Sequence, residues 1–376
     1  MMTWRMALLS ALLSGSVAAG AASAATTTRS EFGKLPDGRS VEAVTLVSKA
    51  GVAVKLIAYG AAIQSVMAPD RDGHSADITL AYPDIKGYLE NPQYFGATVG
   101  RYANRIGKGH FVLDGKSYQL PVNNGANSLH GGTQGFDKVL WTIETVTPGS
   151  VTFRYVSTDG DQGYPGKLTA KAVYTLSDNN ELTVEYSAKT DKPTIVNLTN
   201  HAYWNLAGEG SGTIYDQVLT IPAAETTPVD AGLIPTGAFA AVAGTPFDFR
   251  AGKPIGRDIR DGSNQQLLFG KGFDHNWVVS HAPVAAPRLV AKVEDPKSGR
   301  VLEISSTMPG VQFYSGNFLD GTVVGKAGRT YRQGDAFAIE PQLFPDTPNH
   351  PEFGSARLEP GQSYRHTIVY RFSVAH

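Results

Sequence analysis

Apolar and polar residues alternate with a period of two along much of this chain, as they do in strands that bury one face. The clearest case is Leu168–Leu176, which is followed by a turn at residues 177–180 and by a second alternating run at residues 182–186. Alternation on both sides of an Asn- and Asp-containing turn predicts an antiparallel hairpin.

Two further hairpins are predicted from the same signal. β-Branched runs at residues 41–47 and 52–57 flank a short turn that contains Gly51. Residues 289–293 and 301–304 flank the turn sequence Asp-Pro-Lys-Ser-Gly. Both patterns are typical of strands that are joined by tight turns.

The end of the chain and the rest of the pattern favour an all-β fold. Ile368, Tyr370, Phe372 and Val374 occupy every second position, which predicts a last strand with one face in the core. No stretch of a dozen residues shows a clear 3.6-residue period, and 41 Gly and 22 Pro punctuate the 376 residues. We therefore expect one large antiparallel β-sandwich with few short helices, formed by residues 25–376 as a single domain.

The first 24 residues have the layout of a secretory signal peptide. One positive charge, a short apolar core and small residues ending in Ala22-Ser23-Ala24 are the features that such leaders share. The apolar stretch is too short and too rich in Ala, Ser and Gly to favour a transmembrane anchor. We expect cleavage after Ala24, a periplasmic or secreted protein, and no membrane association once the leader is removed.

Composition narrows the range of partners. The chain has 33 basic and 34 acidic residues without a basic run, so no patch for nucleic acid or an anionic membrane is expected. It has no Cys, which excludes disulfides, a Cys nucleophile and thiolate metal ligands. A small neutral ligand fits this balance best, and no pattern assigns an oligomeric state.

Amide-rich segments are the first candidate binding elements. Asn104 and Arg105 precede a loop at residues 123–132 that is rich in Asn and Gly and contains His130. Amides both donate and accept hydrogen bonds, and Gly lets the backbone approach a ligand, which suits a polyhydroxylated sugar. A plain surface turn is the alternative interpretation of such a cluster, and His130 favours the binding site.

Aromatic-rich segments carry the other candidates. Residues 197–205 place His201 and Tyr203 among amides, where a ring can cover the C–H side of a sugar while the polar groups bind its hydroxyls. Asp274 and Gln312 lie in two shorter segments of similar character. A satisfied core or rim histidine is the alternative for His201.

Glu340 is one carboxylate on an otherwise apolar segment. In an alternating strand it shares a face with Ala338 rather than with Phe337 and Ile339, so a carboxylate on the sheet surface is one interpretation. A partly desolvated carboxylate would instead have a raised pKa and serve as a base.

The candidate residues suit acid/base chemistry on a sugar. No His and carboxylate cluster has metal-ligand spacing, and nucleotide, phosphate and nucleophilic-Ser motifs are absent from any convincing context, so no metal and no cofactor are expected. Two reactions stay open. Glycoside hydrolysis would use Asp274 and Glu340 as its carboxylate pair, whereas anomer exchange would use one base and one acid, such as a carboxylate and a His.

Several long motifs, in order, resemble the aldose 1-epimerase (galactose mutarotase) family over essentially the whole chain after the leader. They are Gly-Arg-Tyr-Ala-Asn-Arg-Ile at 100–106, Asn-Ser-Leu-His-Gly-Gly at 127–132, Gly-Phe-Asp-Lys at 135–138, Thr-Asn-His-Ala-Tyr-Trp-Asn-Leu at 199–206, Gly-Phe-Asp-His-Asn at 272–276 and Glu-Pro-Gln at 340–342. The resemblance implies a large β-sandwich that interconverts the α and β anomers of a free monosaccharide such as glucose or galactose.

The resemblance also implies roles for single residues. Glu340 would be the general base at the C1 hydroxyl, His201 the general acid at the ring oxygen, and His130 a second histidine that orients or polarises that oxygen. A raised pKa for Glu340 and a His201 pKa near 6.5 would suit proton exchange near pH 7. The residues implied to bind the sugar are Asn104, Arg105, Tyr203, Asp274 and Gln312.

Two residues differ from those most common at their positions in the family motifs. One alternative function also stays open. Trp204 stands where Phe is expected and Phe273 where Tyr is frequent, and we expect both to alter the pocket wall and sugar preference. A non-catalytic sugar-binding module on the same scaffold is the alternative. The presence of both Glu340 and His201 argues against it, because a binder needs no matched acid and base.

Overall fold

The computed structural model describes residues 25–375, and its largest element is a nine-stranded antiparallel sheet. Long alternating strands and their tight turns build its centre, as the sequence predicts. In spatial order its strands are Thr142–Thr147, Ser150–Ser157, Leu168–Leu176, Glu181–Thr190, Tyr364–Val374, Arg300–Ser306, Arg288–Glu294, Val218–Thr220 and Lys253–Pro254.

A seven-stranded sheet and a five-stranded sheet complete the scaffold. The seven-stranded sheet is made, in spatial order, of Ala240–Ala241, Glu225–Thr227, Asp274–Val278, Gly310–Tyr314, Phe337–Gln342, Tyr203–Trp204 and Thr79–Leu80. The five-stranded sheet runs through Thr26–Lys34, Ser40–Val47, Ala53–Ile57, Ala62–Pro69 and Ser75–Asp77.

Shorter elements connect these sheets. Among residues 25–375 the two α-helices are Ile85–Glu90 and Gln265–Gly270. The two-stranded pairs are His110–Leu113 with Lys116–Gln119, Arg105–Ile106 with Ser128–Leu129, Thr98–Val99 with Thr199–Asn200, Thr194–Ile195 with Arg357–Leu358, and Asp320–Val324 with Thr330–Arg332. Single 3₁₀ turns occur at Gly107–Gly109, Phe136–Lys138, Asp161–Gly163, Thr347–Asn349 and Pro351–Phe353.

The three predicted hairpins and the last strand are confirmed. Leu168–Leu176 pairs antiparallel with Glu181–Thr190, and Asn180 in the turn between them takes a left-handed φ of 59°. The other two hairpins pair in the same way. Ile368, Tyr370 and Phe372 are buried as expected, whereas Val374 at the end of the strand is only half-buried.

One large apolar core lies between the sheets. It joins alternate residues of the nine-stranded sheet, such as Val184 and Tyr370, to alternate residues of the seven-stranded sheet, such as Phe313 and Ile339. The fold is therefore the predicted all-β sandwich with few short helices. Each buried aromatic or branched side chain contributes roughly 1.5–3 kcal/mol of transfer free energy to it.

The seven-stranded sheet is unusual in that its central strands are buried on both faces. Every residue of Asp274–Val278, Gly310–Tyr314 and Phe337–Gln342 is buried. Apolar residues on one face enter the core. Loops cover the other face, and its polar residues are therefore held away from bulk water.

The burial of His366 in the last strand leads us to predict that the protein loses stability in acid. Its Nδ1–H donates to the carbonyl oxygen of Leu198 (2.8 Å), Nε2 accepts from the Ser306 hydroxyl (2.9 Å), and burial lowers its pKa from 6.5 to about 4. The unfolded chain therefore binds a proton between pH 6.5 and 4 that the folded chain excludes. We expect the free energy of unfolding to fall in that window by up to about 1.4 kcal/mol per pH unit for this group.

Urea unfolding of wild type and His366→Gln at pH 7 and pH 5 measures this contribution. The variant should lose less stability on acidification than wild type. The same substitution at exposed His74 is the control for replacing a histidine outside the core. Identical pH dependence in wild type and His366→Gln would contradict the assignment.

The predicted leader, residues 1–24, lies outside the described residues. The cleavage site after Ala24 therefore stays a prediction. The single domain over residues 25–376 also stays a prediction. Across residues 25–375, no helix has the length and apolar character needed to cross a membrane.

Candidate active site

The covered face of the seven-stranded sheet supplies the acidic and amide groups of the site. Gln312 pairs directly with Glu340 across neighbouring strands. Asp274 lies on the next strand, opposite Tyr314. Alternation places these side chains on one face while Phe313 and Ile339 enter the core, so the predicted orientation of Glu340 beside Ala338 is confirmed.

Two loop residues with left-handed backbone carry the amide-rich part of the site. Asn104 and His130 take φ values of 66° and 51°. Each main-chain N–H reaches the other residue: that of His130 donates to the Asn104 carbonyl oxygen, and that of Asn104 donates to Nδ1 of His130, both at 3.1 Å. Gly131 must follow, because an added Cβ would lie 1.9 Å from the carbonyl oxygen of Gly100.

His201 lies between two short strands that enter the site. Its main-chain N–H donates to the carbonyl oxygen of Ala97 (2.8 Å), and its own carbonyl accepts from the N–H of Gly96 (3.0 Å). The ring lies 5.0 Å from that of Tyr203 between centroids, tilted by 33°. The backbone therefore fixes where the imidazole can point.

These elements enclose a cavity of about 540 Å³. That volume falls in the range of sites for small molecules, roughly 300–1,000 Å³. Seven of the eight predicted site residues line it: Asn104, Arg105, His130, His201, Tyr203, Asp274 and Glu340. The eighth, Gln312, lies behind Asp274 and donates from Nε2 to its Oδ1 at 2.7 Å.

Glu340 and His201 form a buried carboxylate–histidine pair in the cavity. Oε1 of Glu340 lies 3.5 Å from Nε2 of His201, and their side chains are 3% and 6% exposed. The second carboxylate oxygen of Glu340 is buried without a hydrogen-bond partner among the described residues. Because buried polar atoms are normally paired, this oxygen is available to a ligand.

Burial moves the two pKa values in opposite directions. It raises the pKa of Glu340 well above 4.5, and nearby Asp274 adds to this rise while Arg105 opposes it. It lowers the pKa of His201 from 6.5 to about 4. The expectation that His201 titrates near 6.5 is therefore wrong for the free protein, because desolvation disfavours the imidazolium.

His130 is held as a neutral hydrogen-bond donor. Since Nδ1 accepts the N–H of Asn104, the neutral ring carries its proton on Nε2. Burial lowers its pKa well below 6.5, and repulsion from the nearby basic groups His201, Arg105 and Lys138 lowers it further. His130 therefore suits polarisation of an oxygen atom better than uptake of a proton.

The same hydrogen bond bears on metal binding. His130, His201 and Glu340 each offer one ligand atom within 4.8 Å of the others. The lone pair on Nδ1 of His130 is already used, and Nε2 carries the proton. A metal at this ring would have to displace one of them, so the arrangement favours proton transfer over metal coordination.

A closed chain of hydrogen bonds joins Arg105, Asp274 and Asn104 through two buried glutamines. Nη2 of Arg105 donates to Oδ2 of Asp274 at 3.4 Å, and Asp274 accepts from Gln312 through its other oxygen. Gln342 continues the chain: its Nε2 donates to Oε1 of Gln312 and its Oε1 accepts from Nδ2 of Asn104, both at 3.5 Å. The Arg105 main-chain N–H closes it by donating to Oδ1 of Asn104 at 2.8 Å.

Three residues of the site were missed in the sequence. Gln342 shares the strand face of Glu340 at a spacing of two, and this spacing could have identified it. Asn124, whose Oδ1 accepts from Nε of Arg105 at 3.1 Å, lies in the amide-rich loop. Tyr94 lines the cavity beside both histidines, and no motif or periodicity marked it.

The expected effect of the two unusual aromatics on the pocket is wrong. Trp204 is fully buried in the core, with ring centroids 5.4 Å from Tyr370 and 5.9 Å from Phe372. Phe273 is fully buried and packs against Phe313 and other core rings. Each lies next in sequence to a cavity residue, and strand alternation turns it to the opposite face.

Comparison with known proteins agrees with this geometry. Residues 42–371 match the family model for aldose 1-epimerase. The chain is 47% identical to the galactose mutarotase of Bos taurus over 93% of this chain and 99% of that protein. It is 38% identical to the aldose 1-epimerase of Escherichia coli (strain K12), over 90% of this chain and 96% of that protein.

A solved structure shows the same fold. A GalM/aldose epimerase homologue from C. elegans superimposes with a TM-score of 0.81 at 34% identity, covering 88% of this chain and 98% of that one. With a family match over most of the chain and relatives of this identity, the chain belongs to the aldose 1-epimerase family.

Proposed function

We propose that this protein accelerates the interconversion of the α and β anomers of free aldoses, with glucose and galactose as substrates. The buried carboxylate–histidine pair, Glu340 and His201 at 3.5 Å in a ligand-sized cavity, is the observation that carries the proposal. The chain's similarity to the galactose mutarotase of Bos taurus and to the aldose 1-epimerase of Escherichia coli supports the proposal.

The chemistry needs one proton taken and one proton given. Glu340 removes the proton of the C1 hydroxyl while the bond between C1 and the ring oxygen breaks, and His201 gives its proton to that oxygen. The product is an open-chain aldehyde. Rotation about the C1–C2 bond and reclosure, with both proton transfers reversed, form the other anomer.

Burial of the pair assists the opening step. Before opening, the reactive state is Glu340 carboxylate beside His201 imidazolium; after opening, both groups are neutral. The raised pKa of Glu340 and the lowered pKa of His201 both favour this neutral state. In the resting site the same shifts keep the shared proton on Glu340, so the proton must first move to His201, and ring opening then returns the pair to its favoured neutral state.

The Arg105–Asp274 pair binds and orients the sugar hydroxyls in this proposal. Asn104 and Gln312 hold that pair in place, and Tyr203 offers a ring to the C–H face. His130 donates its Nε2–H toward the ring oxygen. These positions keep C1 near Glu340 and the ring oxygen near His201.

The pKa values predict the acid limb of the rate profile. The active free enzyme holds one proton on the Glu340–His201 pair, and a second proton binds only when the pH approaches the lowered pKa of His201, about 4. We expect kcat/KM to persist below pH 6.5 and to fall toward pH 4. Initial rates between pH 4 and 8, with circular dichroism at each pH, measure this limb. A midpoint at 6.5 in folded protein would contradict the assignment.

One experiment distinguishes anomer exchange from the two alternatives, a non-catalytic sugar-binding module and a glycosidase. Exchange between the α and β resonances of equilibrated glucose and galactose is followed by NMR, with methyl glycosides tested in parallel for release of methanol. Anomer exchange that grows with protein concentration, without methanol release, supports the proposal. Sugar binding without faster exchange would instead indicate a binding module, and methanol release a glycosidase.

The glycosidase alternative also conflicts with the hydrogen bonds of Asp274. Both of its oxygens are engaged, one by Arg105 and one by Gln312. A second catalytic carboxylate would have to be free to donate a proton or to attack C1. These hydrogen bonds instead support a role for Asp274 in binding sugar hydroxyls.

The signal-like leader supports a periplasmic or secreted location. In a Gram-negative host that expresses the full chain, we expect the protein in the periplasmic or extracellular fraction, with Ala25 as its first residue. N-terminal sequencing of the recovered protein tests this. An uncleaved cytoplasmic protein would contradict it.

A further inference from the structure

Tyr94 packs against both histidines of the site. Its ring centroid lies 4.7 Å from that of His130, with 62° between the planes, and 5.8 Å from that of His201, with 34° between the planes. The two histidine rings are themselves 5.1 Å apart and nearly perpendicular. The three rings therefore form one compact cluster at the cavity wall.

The backbone holds Tyr94 in this place. It takes a left-handed φ of 62°, which few non-Gly residues adopt. Two residues later, the N–H of Gly96 donates to the His201 carbonyl, and an added Cβ at Gly96 would lie 1.8 Å from the carbonyl oxygen of Ile63. The segment that carries Tyr94 is thus tied to the backbone of His201.

Lys138 and Asp137 restrain the Tyr94 ring. Nζ of Lys138 lies 5.3 Å from the ring centroid of Tyr94 and donates to the carbonyl oxygen of Thr133 at 3.1 Å. The same Nζ lies 3.4 Å from Oδ2 of Asp137, whose side chain is 3% exposed. A cation over an aromatic face restrains the ring, and the buried carboxylate restrains the cation.

We propose that Tyr94, held by Lys138 and Asp137, is a positioning residue that fixes the two histidine rings and keeps water from them. This inference rests on the proposed anomer exchange. It assigns a role to Asp137 and Lys138 of the Gly-Phe-Asp-Lys motif, neither of which lines the cavity.

Removing the ring should change both rate and titration. With Tyr94→Leu, we expect kcat to fall by about 10- to 10²-fold through misplaced histidines, with KM changed much less. Water would then reach His130 and His201, whose charged neighbours are Glu340, Asp274, Arg105 and Lys138. Their pKa values should rise toward 6.5, and the acid limb of kcat/KM should move to higher pH.

Conservative and matched variants separate positioning from general damage. Tyr94→Phe keeps the ring and should recover most of the lost rate, and Lys138→Met should lower kcat in the same direction as Tyr94→Leu by a smaller factor. Tyr118 is the control: its ring lies under Lys116 at 5.1 Å and stacks on Phe111, outside the cavity lining. Tyr118→Leu should keep the wild-type kcat and pH profile.

The histidine C2–H resonances give a readout that does not depend on activity. Titrated by NMR in wild type and Tyr94→Leu, two histidines should gain pKa values nearer 6.5 in the variant. Unmoved titrations and a wild-type kcat profile would overturn the proposal. So would a Tyr94→Phe variant as slow as Tyr94→Leu, since the hydroxyl would then be the acting group. If wild type itself fails to speed exchange, the proposed function fails, and the titration still decides the role of Tyr94.

Discussion

Replacing Glu340 by Gln is expected to slow anomer exchange by roughly 10²- to 10⁴-fold, the usual contribution of a positioned proton-transfer group. Gln has nearly the same shape but cannot take the C1 hydroxyl proton. Sugar binding should persist, because the Arg105–Asp274 pair and its amide partners are untouched. The rate is measured by relaxation of the optical rotation of fresh α-D-galactose, and binding by calorimetry.

A matched strand carboxylate serves as the control for this variant. Glu185 is exposed on the nine-stranded sheet and does not line the cavity. Glu185→Gln should relax the rotation at the wild-type rate. A Glu340→Gln protein that is folded, binds galactose and keeps near-full turnover would remove Glu340 from the role of base.

Replacing His201 by Asn is expected to cause a loss of the same size, roughly 10²- to 10⁴-fold in kcat. Asn cannot transfer a proton, and its amide reaches only about as far as Nδ1 of the imidazole, whereas Nε2 is the atom that lies beside Glu340. The same polarimetric assay measures the loss. His74→Asn, at an exposed turn, is the control and should leave kcat unchanged.

The outcome at His201 also separates the two histidines. If His201→Asn kept near-full turnover, the proton donor would have to be another group, and His130, whose ring centroid lies 5.1 Å from that of His201, is the other imidazole of the site. The His130 tautomer argues against this, because its Nδ1 is occupied by the N–H of Asn104. We therefore expect His130 to remain unable to replace His201.

Strand alternation made much of the fold accessible from the sequence. The period-two pattern predicted the hairpin of Leu168–Leu176 and Glu181–Thr190, and it placed Glu340 on the face opposite Ile339. Such signals are local, since each depends on a few neighbouring residues and a turn. The order of strands within the sheets depends on contacts between distant segments and had no such signal.

Site residues that lie in sequence motifs could be predicted, whereas residues that reach the site only through packing could not. Seven of the predicted residues meet in one cavity because distant loops converge on a single sheet face. Tyr94 lies at that cavity because its backbone is left-handed, and no pattern in the sequence predicted this conformation. Trp204 was expected on the pocket wall because it departs from the usual residue in a family motif, although neighbouring strand residues point to opposite faces and Tyr203 takes the cavity side.

The pKa of His201 is a second property that the sequence did not predict correctly. An ordinary value near 6.5 assumes solvent, and the sequence alone did not show that the ring is buried. Once the ring is enclosed by loops and by Tyr203, desolvation brings its pKa to about 4. Burial also gives the site one shared proton instead of two independently titrating groups.

The central claim is that Glu340 and His201 act as one proton-transfer unit in anomer exchange. It is tested most directly by polarimetry of α-D-galactose with wild type, Glu340→Gln, His201→Asn and the double variant. Residues that act as a unit are non-additive, so the double variant should be about as slow as either single one. Wild type that relaxes galactose no faster than buffer, or single losses that multiply in the double variant, would contradict the claim.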